Sequence, residues 1–196
     1  DLHGFDAAAL EADNQAGSSI YFITGDADQA TGKNKKTGNP TGCVEDTDIH
    51  TCCDVFVEWD DQTIEWQLTA WRELGLPEPT AMITTGGKSV HCYWQLREPM
   101  QPDAWKVLQR RLINYAGGDK SCKNPSRLMR VPGFFYVDKE NGEVTSNRAE
   151  LIHQADVTYT AEEIEACLPA PIPTPTKAVA AAPSREFEPR SDAELT

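Results

Sequence analysis

A chain of 196 residues, 39% hydrophobic and 25% charged, is long enough for one domain with a core, or for a domain plus a tail. No apolar run approaches the ~20 residues of a membrane span and no secretory signal is visible; the six cysteines lack the spacing of a small secreted scaffold, so a reducing, cytoplasmic setting is expected. The net charge of −13 argues, as a bulk figure, against nucleic acid, and the first residue is Asp1 rather than Met, so the chain reads as a piece of something longer.

Asp6 is placed to cap a short helix over "AAALEA". "SIYFIT", 19–24, reads as a strand, and 25–42, rich in Gly, Asn, Asp and Lys, as a loop. "DVFVEWD", 54–60, is a strand with a mixed face. In "TIEWQLTAWREL", 63–74, Ile64, Leu68 and Trp71 recur at helical spacing and predict an amphipathic helix. Strands follow over 80–85 and 89–96. "PDAWKVLQRRLINYA", 102–116, predicts a helix with Trp105, Leu108, Leu112 and Tyr115 on its buried face, ending at Gly117-Gly118. "RLMRV" and "GFFYV" are short strands, and Thr160 with Glu163 forms a capping box before a last helix, 161–168. Residues 1–168 thus form one domain. From 169 to 196 the sequence is rich in Pro and Ala and without periodicity, a linker or disordered tail that implies a further C-terminal region.

The charge is unevenly spread. Residues 88–130 carry nine basic and three acidic groups inside an otherwise acidic chain. Local potential, not net charge, steers a polyanion; alternatively Arg110 and Arg111 form the solvated face of a helix.

Three stretches carry chemistry. In 54–60 the strand period sets Asp54, Phe56, Glu58 and Asp60 on one face. Clustered carboxylates call for a positive partner, and a divalent metal is the economical one; otherwise this is a strand end running into solvent. In "GGKSVHCYW", 86–94, Ser89, His91, Tyr93 and Gln95 share a face, while Val90, Cys92, Trp94 and Leu96 pack inward. Gly86 and Gly87 allow close backbone approach and Lys88 adds charge, so hydroxyl, imidazole, ammonium and N–H groups could meet phosphate oxygens. In "GGDKSCKNPSRLMRVPG", 117–133, Asp119 is followed by Lys120, Lys123, Arg127 and Arg130, and the arginines suit phosphates or could pair with the carboxylates. Cys43, His50, Cys52 and Cys53 could hold zinc, although their spacing is not a recognised knuckle.

The order of an acidic pair, Ser-x-His, then an aspartate with arginines resembles the archaeo-eukaryotic primase superfamily, in particular the primase-polymerases of phages and plasmids. "KNPSRLMRVPGF" is similar to the stretch after the third motif in the replication-protein branch, and the resemblance spans roughly 19–153. It implies an α+β fold with an RRM-like β-sheet flanked by helices. It implies a DNA primase and DNA polymerase, a nucleotidyltransferase of phage or plasmid DNA replication. It also implies two divalent ions, Mg2+ or Mn2+, held by Glu58, Asp60 and Asp119; an incoming dNTP or NTP bound by Lys88, Ser89, His91, Arg127 and Arg130; and a primer on a single-stranded DNA template. Glu58, Asp60, His91 and Asp119 would be catalytic, and a helicase or other replication domain would follow. Glu58 stands where the family more often has Asp, one methylene shorter. A catalytically weak DNA-binding module and a metal-dependent nuclease are the alternatives.

Overall fold

The computed structural model describes residues 6–138 and 140–170; the tail expected over 169–196 lies outside them beyond Ala170. In chain order the elements are α1 (Ala7–Gln15), β1 (Tyr21–Ile23), β2 (Gly25–Ala27), β3 (Ile49–Glu58), α2 (Ile64–Gln67), α3 (Ala70–Glu73), β4 (Ala81–Thr84), β5 (Val90–Met100), α4 (Pro102–Ala116), β6 (Leu128–Arg130), β7 (Phe135–Val137), β8 (Val144–Arg148), β9 (Glu150–Gln154) and α5 (Ala161–Ala166). Both expected caps form. The Asp6 carboxylate accepts the Ala9 N–H at 3.0 Å, and Thr160 and Glu163 make a reciprocal capping box.

Five strands build an antiparallel sheet in the order β2-β3-β5-β4-β9, and β1-β6 and β7-β8 form two-stranded ribbons. The mixed α+β architecture, an antiparallel sheet flanked by helices, is therefore the expected one. At its centre β3 and β5 bury Val55, Val57, Val90, Cys92 and Trp94 completely on one face. On the other face the register pairs Asp54 with Gln95, Phe56 with Tyr93 and Glu58 with His91. Phe56, also fully buried, lies 6.0 Å from the rings of both Tyr93 and Trp105.

α4 starts at Pro102 and ends at Gly117, whose φ of +66° is the left-handed cap that glycine adopts without strain. Trp105, Leu108 and Leu112 are buried as expected, and so is Gln109. The Gln109 amide accepts the Phe56 N–H (3.2 Å) and donates to the carbonyls of Phe56 and Cys122 (2.8 Å each). A buried amide needs such partners, and this one fastens the helix to both the central strand and the loop that follows α4.

Three expectations need correction. The helix over 63–74 is two short helices, and Leu68, expected on the buried face, is 36% exposed. The buried positions are Gln67 and Ala70, because the Gln67 side chain is drawn inward by three backbone partners described below. The loop over 25–42 begins as β2, paired with the start of β3. β8 and β9 were not expected as strands: their residues are mostly exposed, and edge or ribbon strands with little burial show weak alternation.

Candidate active site

The register of β3 against β5 creates the site. Glu58 stands directly opposite His91, and just beyond the paired ends Ser89 Oγ donates to Asp60 Oδ1 at 3.0 Å, with Lys88 Nζ 3.7 Å from the same oxygen. Two stretches distant in sequence thus become adjacent rungs of one sheet. The turn before β5 is fixed from below by Gln67, which accepts the Val90 N–H (2.6 Å) and donates to the carbonyls of Lys88 (3.0 Å) and Gln62 (2.8 Å). Gly86, at φ +74°, lies against the Arg148–Ala149 backbone, where a Cβ would come within 2.9 Å of the Arg148 carbonyl carbon.

Asp119 arrives from the loop after α4. Its N–H donates to the Glu58 carbonyl at 2.7 Å, and its carboxylate accepts from Ser121 N–H (2.9 Å) and Ser121 Oγ, with Arg127 at 3.6 Å. The approach depends on Gly118, since a Cβ there would fall 2.6 Å from Val57 Cγ1 and 3.1 Å from the Glu58 oxygen. Overpacking of this kind costs about 1–3 kcal/mol and is relieved by backbone shifts. Gly118→Ala is therefore expected to move Asp119 off Glu58, visible in a crystal structure of the variant, and to lower Tm by the cost of that shift. An unchanged Asp119–Glu58 contact with an unchanged Tm would show that the close approach is incidental.

Cys122, fully buried, donates its S–H to Glu58 Oε2 at 3.5 Å. Burial and the neighbouring Glu58 charge push its thiol up to about 12, so it stays protonated. One ligand atom each from Glu58, Asp119 and Cys122 lies within 4.8 Å of the others. Burial acts to raise the Glu58 carboxyl, but the His91 ring, with Cys122 and Arg127, outweighs it and holds the group down at about 2. His91 is only 3% exposed; its Nδ1 is 3.1 Å from the Tyr93 hydroxyl and its Nε2 3.6 Å from Glu58 Oε1. The latter is an ion-pair distance, too long for a hydrogen bond.

Of the eight expected residues, Glu58, Asp60, Lys88, Ser89, His91, Arg127 and Arg130 line one cleft of about 130 Å³, open to solvent, and Asp119 adjoins it through Glu58. Asp60 is turned to Ser89 and Lys88, whereas Glu58 is turned to Asp119 and Cys122. Arg127 pairs with Asp119, the alternative left open by the sequence, yet its Nε is buried without a partner. Arg130, 7% exposed, lies over the rings of Tyr21 (5.1 Å) and Tyr136 (4.5 Å), and one of its terminal nitrogens is also buried and unpartnered. Both guanidinium groups belong to residues that line the cleft, and their planar donor forks suit an anion there.

Tyr21, Tyr136, Cys122, Gln67 and Gln109 were not legible as site residues. The tyrosines sit in apolar strands that read as core, and nothing local marks a buried cysteine or glutamine as a contact to a carboxylate or a turn. Asp54, on the same strand face as Glu58, stays apart from the cleft; burial raises its carboxyl to about 6. Among the described residues the possible zinc set does not assemble: Cys43 is exposed, His50 bonds Asp28 at 2.8 Å, and Cys52 is in the core.

The fold is similar to the AEP domain of the primase-polymerase (PrimPol) of cyanophage S-2L, with a TM-score of 0.67 and 33% identity over 84% of this chain and 78% of that one. It is also similar to the primase RepB′, with a TM-score of 0.51 and 16% identity over 82% of this chain and 47% of that one, a likeness of fold. No protein-family model and no curated protein sequence matches the chain.

Proposed function

The chain belongs to the archaeo-eukaryotic primase superfamily, alongside a phage primase-polymerase domain, and from that premise we propose that it performs template-directed nucleotidyl transfer in phage or plasmid DNA replication. What supports this most is the meeting, in and beside one cleft, of the Glu58, Asp60 and Asp119 carboxylates with the unpartnered donors of Arg127 and Arg130.

The donor set fits a hard divalent cation. Glu58 and Asp119 offer carboxylate oxygens side by side, with Asp60 on the same cleft, the ligand type Mg2+ and Mn2+ prefer, and the Cys122 S–H donates to Glu58. Glu58, Asp60 and Asp119 would hold such ions, whose chemistry there would be to lower the pKa of an attacking primer 3′-hydroxyl and to stabilise the leaving pyrophosphate. The protein's own part is positioning. Arg130, held between two tyrosine rings, and Arg127 offer N–H groups to the triphosphate of a dNTP or NTP. Lys88 and Ser89 rest on Asp60 and can turn to phosphate oxygens when that carboxylate takes a cation. His91 presents Nε2, which makes no hydrogen bond at 3.6 Å from Glu58, on the same wall. The cleft would thereby hold the α-phosphate while the 3′-oxygen forms the new P–O bond, its proton passing to solvent, and the bond to the β-phosphate breaks to release pyrophosphate.

The test is incubation with a primer on a single-stranded DNA template, dNTPs or NTPs, and Mg2+ or Mn2+. Extension to the template's end is expected. Binding without extension would mean a DNA-binding module, and shortening of the DNA without added nucleotide a nuclease. Among the described residues no helix is long and apolar enough to cross a membrane.

A further inference from the structure

The basic block over 88–130 does not form one surface; the fold sorts it into three groups. Arg97, Lys106 and Arg111 are neutralised by Glu163 (3.6 Å), Asp46 (3.7 Å) and Glu165 (3.2 Å). Lys88, Arg127 and Arg130 face the catalytic cleft. The remaining three, Arg110 on α4 and Lys120 and Lys123 on the loop after it, are exposed and have no ion pair among the described residues. They line a single shallow hollow of about 230 Å³ with Ile113 and Asn114, and no carboxylate contributes to its walls. In a chain of net charge −13, an acid-free hollow with three uncompensated cations is a marked local reversal of potential.

Its position adds to this. Lys120 directly follows Asp119, whose N–H is bonded to Glu58, so the loop that carries a catalytic carboxylate also carries two of the three cations. We propose that Arg110, Lys120 and Lys123 hold the phosphodiester backbone of single-stranded DNA as the template strand enters the cleft. The proposal rests on the nucleotidyl-transfer reading above. The hollow has no aromatic ring on which to stack a base, and lysines act on phosphates as point charges; such contacts position a strand without reading its sequence. A free triphosphate presents the same chemistry and is separated from a strand by the test.

The experiment follows the anisotropy of a labelled oligothymidylate across a potassium chloride series, for the wild type, for Arg110→Ala/Lys120→Ala/Lys123→Ala, and for Lys33→Ala/Lys35→Ala/Lys36→Ala in the 28–45 loop. Each lost phosphate contact on a single strand lowers the log–log salt slope by about 0.7, so the first variant should lose a slope of about 2 and bind roughly 100-fold more weakly at ~0.1 M salt than the wild type. The 28–45 variant should bind as the wild type does, Arg110→Lys alone should retain affinity, and stabilisation by dNTP with Mn2+ should be the same for the triple variant as for the wild type. An unchanged slope, an equal loss in both triple variants, or no oligonucleotide binding by the wild type would each overturn the proposal. So would loss of dNTP stabilisation with DNA binding intact, which would make the hollow a nucleotide site. Primer extension keeps the two readings apart. If the wild type extends primers and the triple variant keeps its slope, the hollow is misassigned and the enzyme stands. If the slope falls but the wild type never extends a primer, the DNA surface stands and the enzymatic reading fails.

Discussion

Glu58→Gln is expected to lower primer extension at least about a thousand-fold and to lower Tm as well, because the charged carboxylate is stabilised in the folded protein. The carboxyl is held down at about 2, because the His91 ring, Cys122 and Arg127 outweigh its burial, so it is fully charged at any working pH. Glutamine keeps the shape and still offers an oxygen to the Cys122 S–H at the Glu58 Oε2 position, 3.5 Å away in the native protein. What it removes is one negative charge beside Asp119. Two unit charges about 4 Å apart interact by roughly 4 kcal/mol at an effective dielectric of 20, and a divalent ion feels that loss at least once over. At ~1.4 kcal/mol per decade this is about three decades in metal affinity or turnover. Asp60→Asn should fall by a similar factor, and it should also loosen Ser89 and Lys88, which rest on that carboxylate. Steady-state extension across a Mn2+ titration, beside thermal melts without metal, checks both. Near wild-type kcat in either variant would remove that carboxylate from the metal assignment.

Glu58 and Asp60 were legible as a pair because the period of the expected strand 54–60 set them on one face; β3 ends at Glu58, and Asp60 lines the same cleft from just beyond it. Asp119 was expected as the third carboxylate only through the family resemblance, and its contact with Glu58 was not legible. Asp119 reaches Glu58 through a glycine that lets the loop touch β3, and nothing in "GGDKSC" distinguishes that contact from an ordinary helix stop. α4 was legible to the residue, since Pro102, a run of core residues at helical spacing and Gly117 all agree. The segment 63–74 misled for the opposite reason: its apolar spacing pointed to Leu68, while the fold spent the inward position on Gln67 to satisfy the backbone of the Lys88 turn. Asp54 shows the limit of face-sharing. It lies on the Glu58 face, but four residues of strand rise carry it about 13 Å away, out of reach of the same cation. Cys122 contacts the longer glutamate that stands where the family more often has aspartate, a pairing visible only once the loop is folded back.

His91→Ala is expected to weaken nucleotide use by roughly 10- to 150-fold. The sequence placed His91 in a phosphate grip, and the fold adds that the ring is buried and fixed by the Tyr93 hydroxyl on Nδ1, while Nε2 stands 3.6 Å from Glu58 and makes no hydrogen bond. A nitrogen held in place on a cleft wall and not yet bonded is suited to a phosphate oxygen. Losing one charge-assisted hydrogen bond costs about 1.5–3 kcal/mol, which gives the stated range at ~1.4 kcal/mol per decade. Burial changes what the sequence alone implied for stability. Removing the ring leaves the Tyr93 hydroxyl and Glu58 without their neighbour in a largely desolvated setting, so the alanine variant should also melt earlier. Tyr93→Phe separates the two effects: it frees Nδ1 but leaves Nε2 on the cleft wall, so it should share part of the loss in Tm and little of the loss in nucleotide affinity. The readouts are Tm without nucleotide, the further Tm rise on adding dNTP with Mn2+, and the KM for dNTP in primer extension. If His91→Ala and Tyr93→Phe lose Tm equally and both keep wild-type KM, then His91 packs the sheet and leaves the triphosphate to Lys88, Arg127 and Arg130.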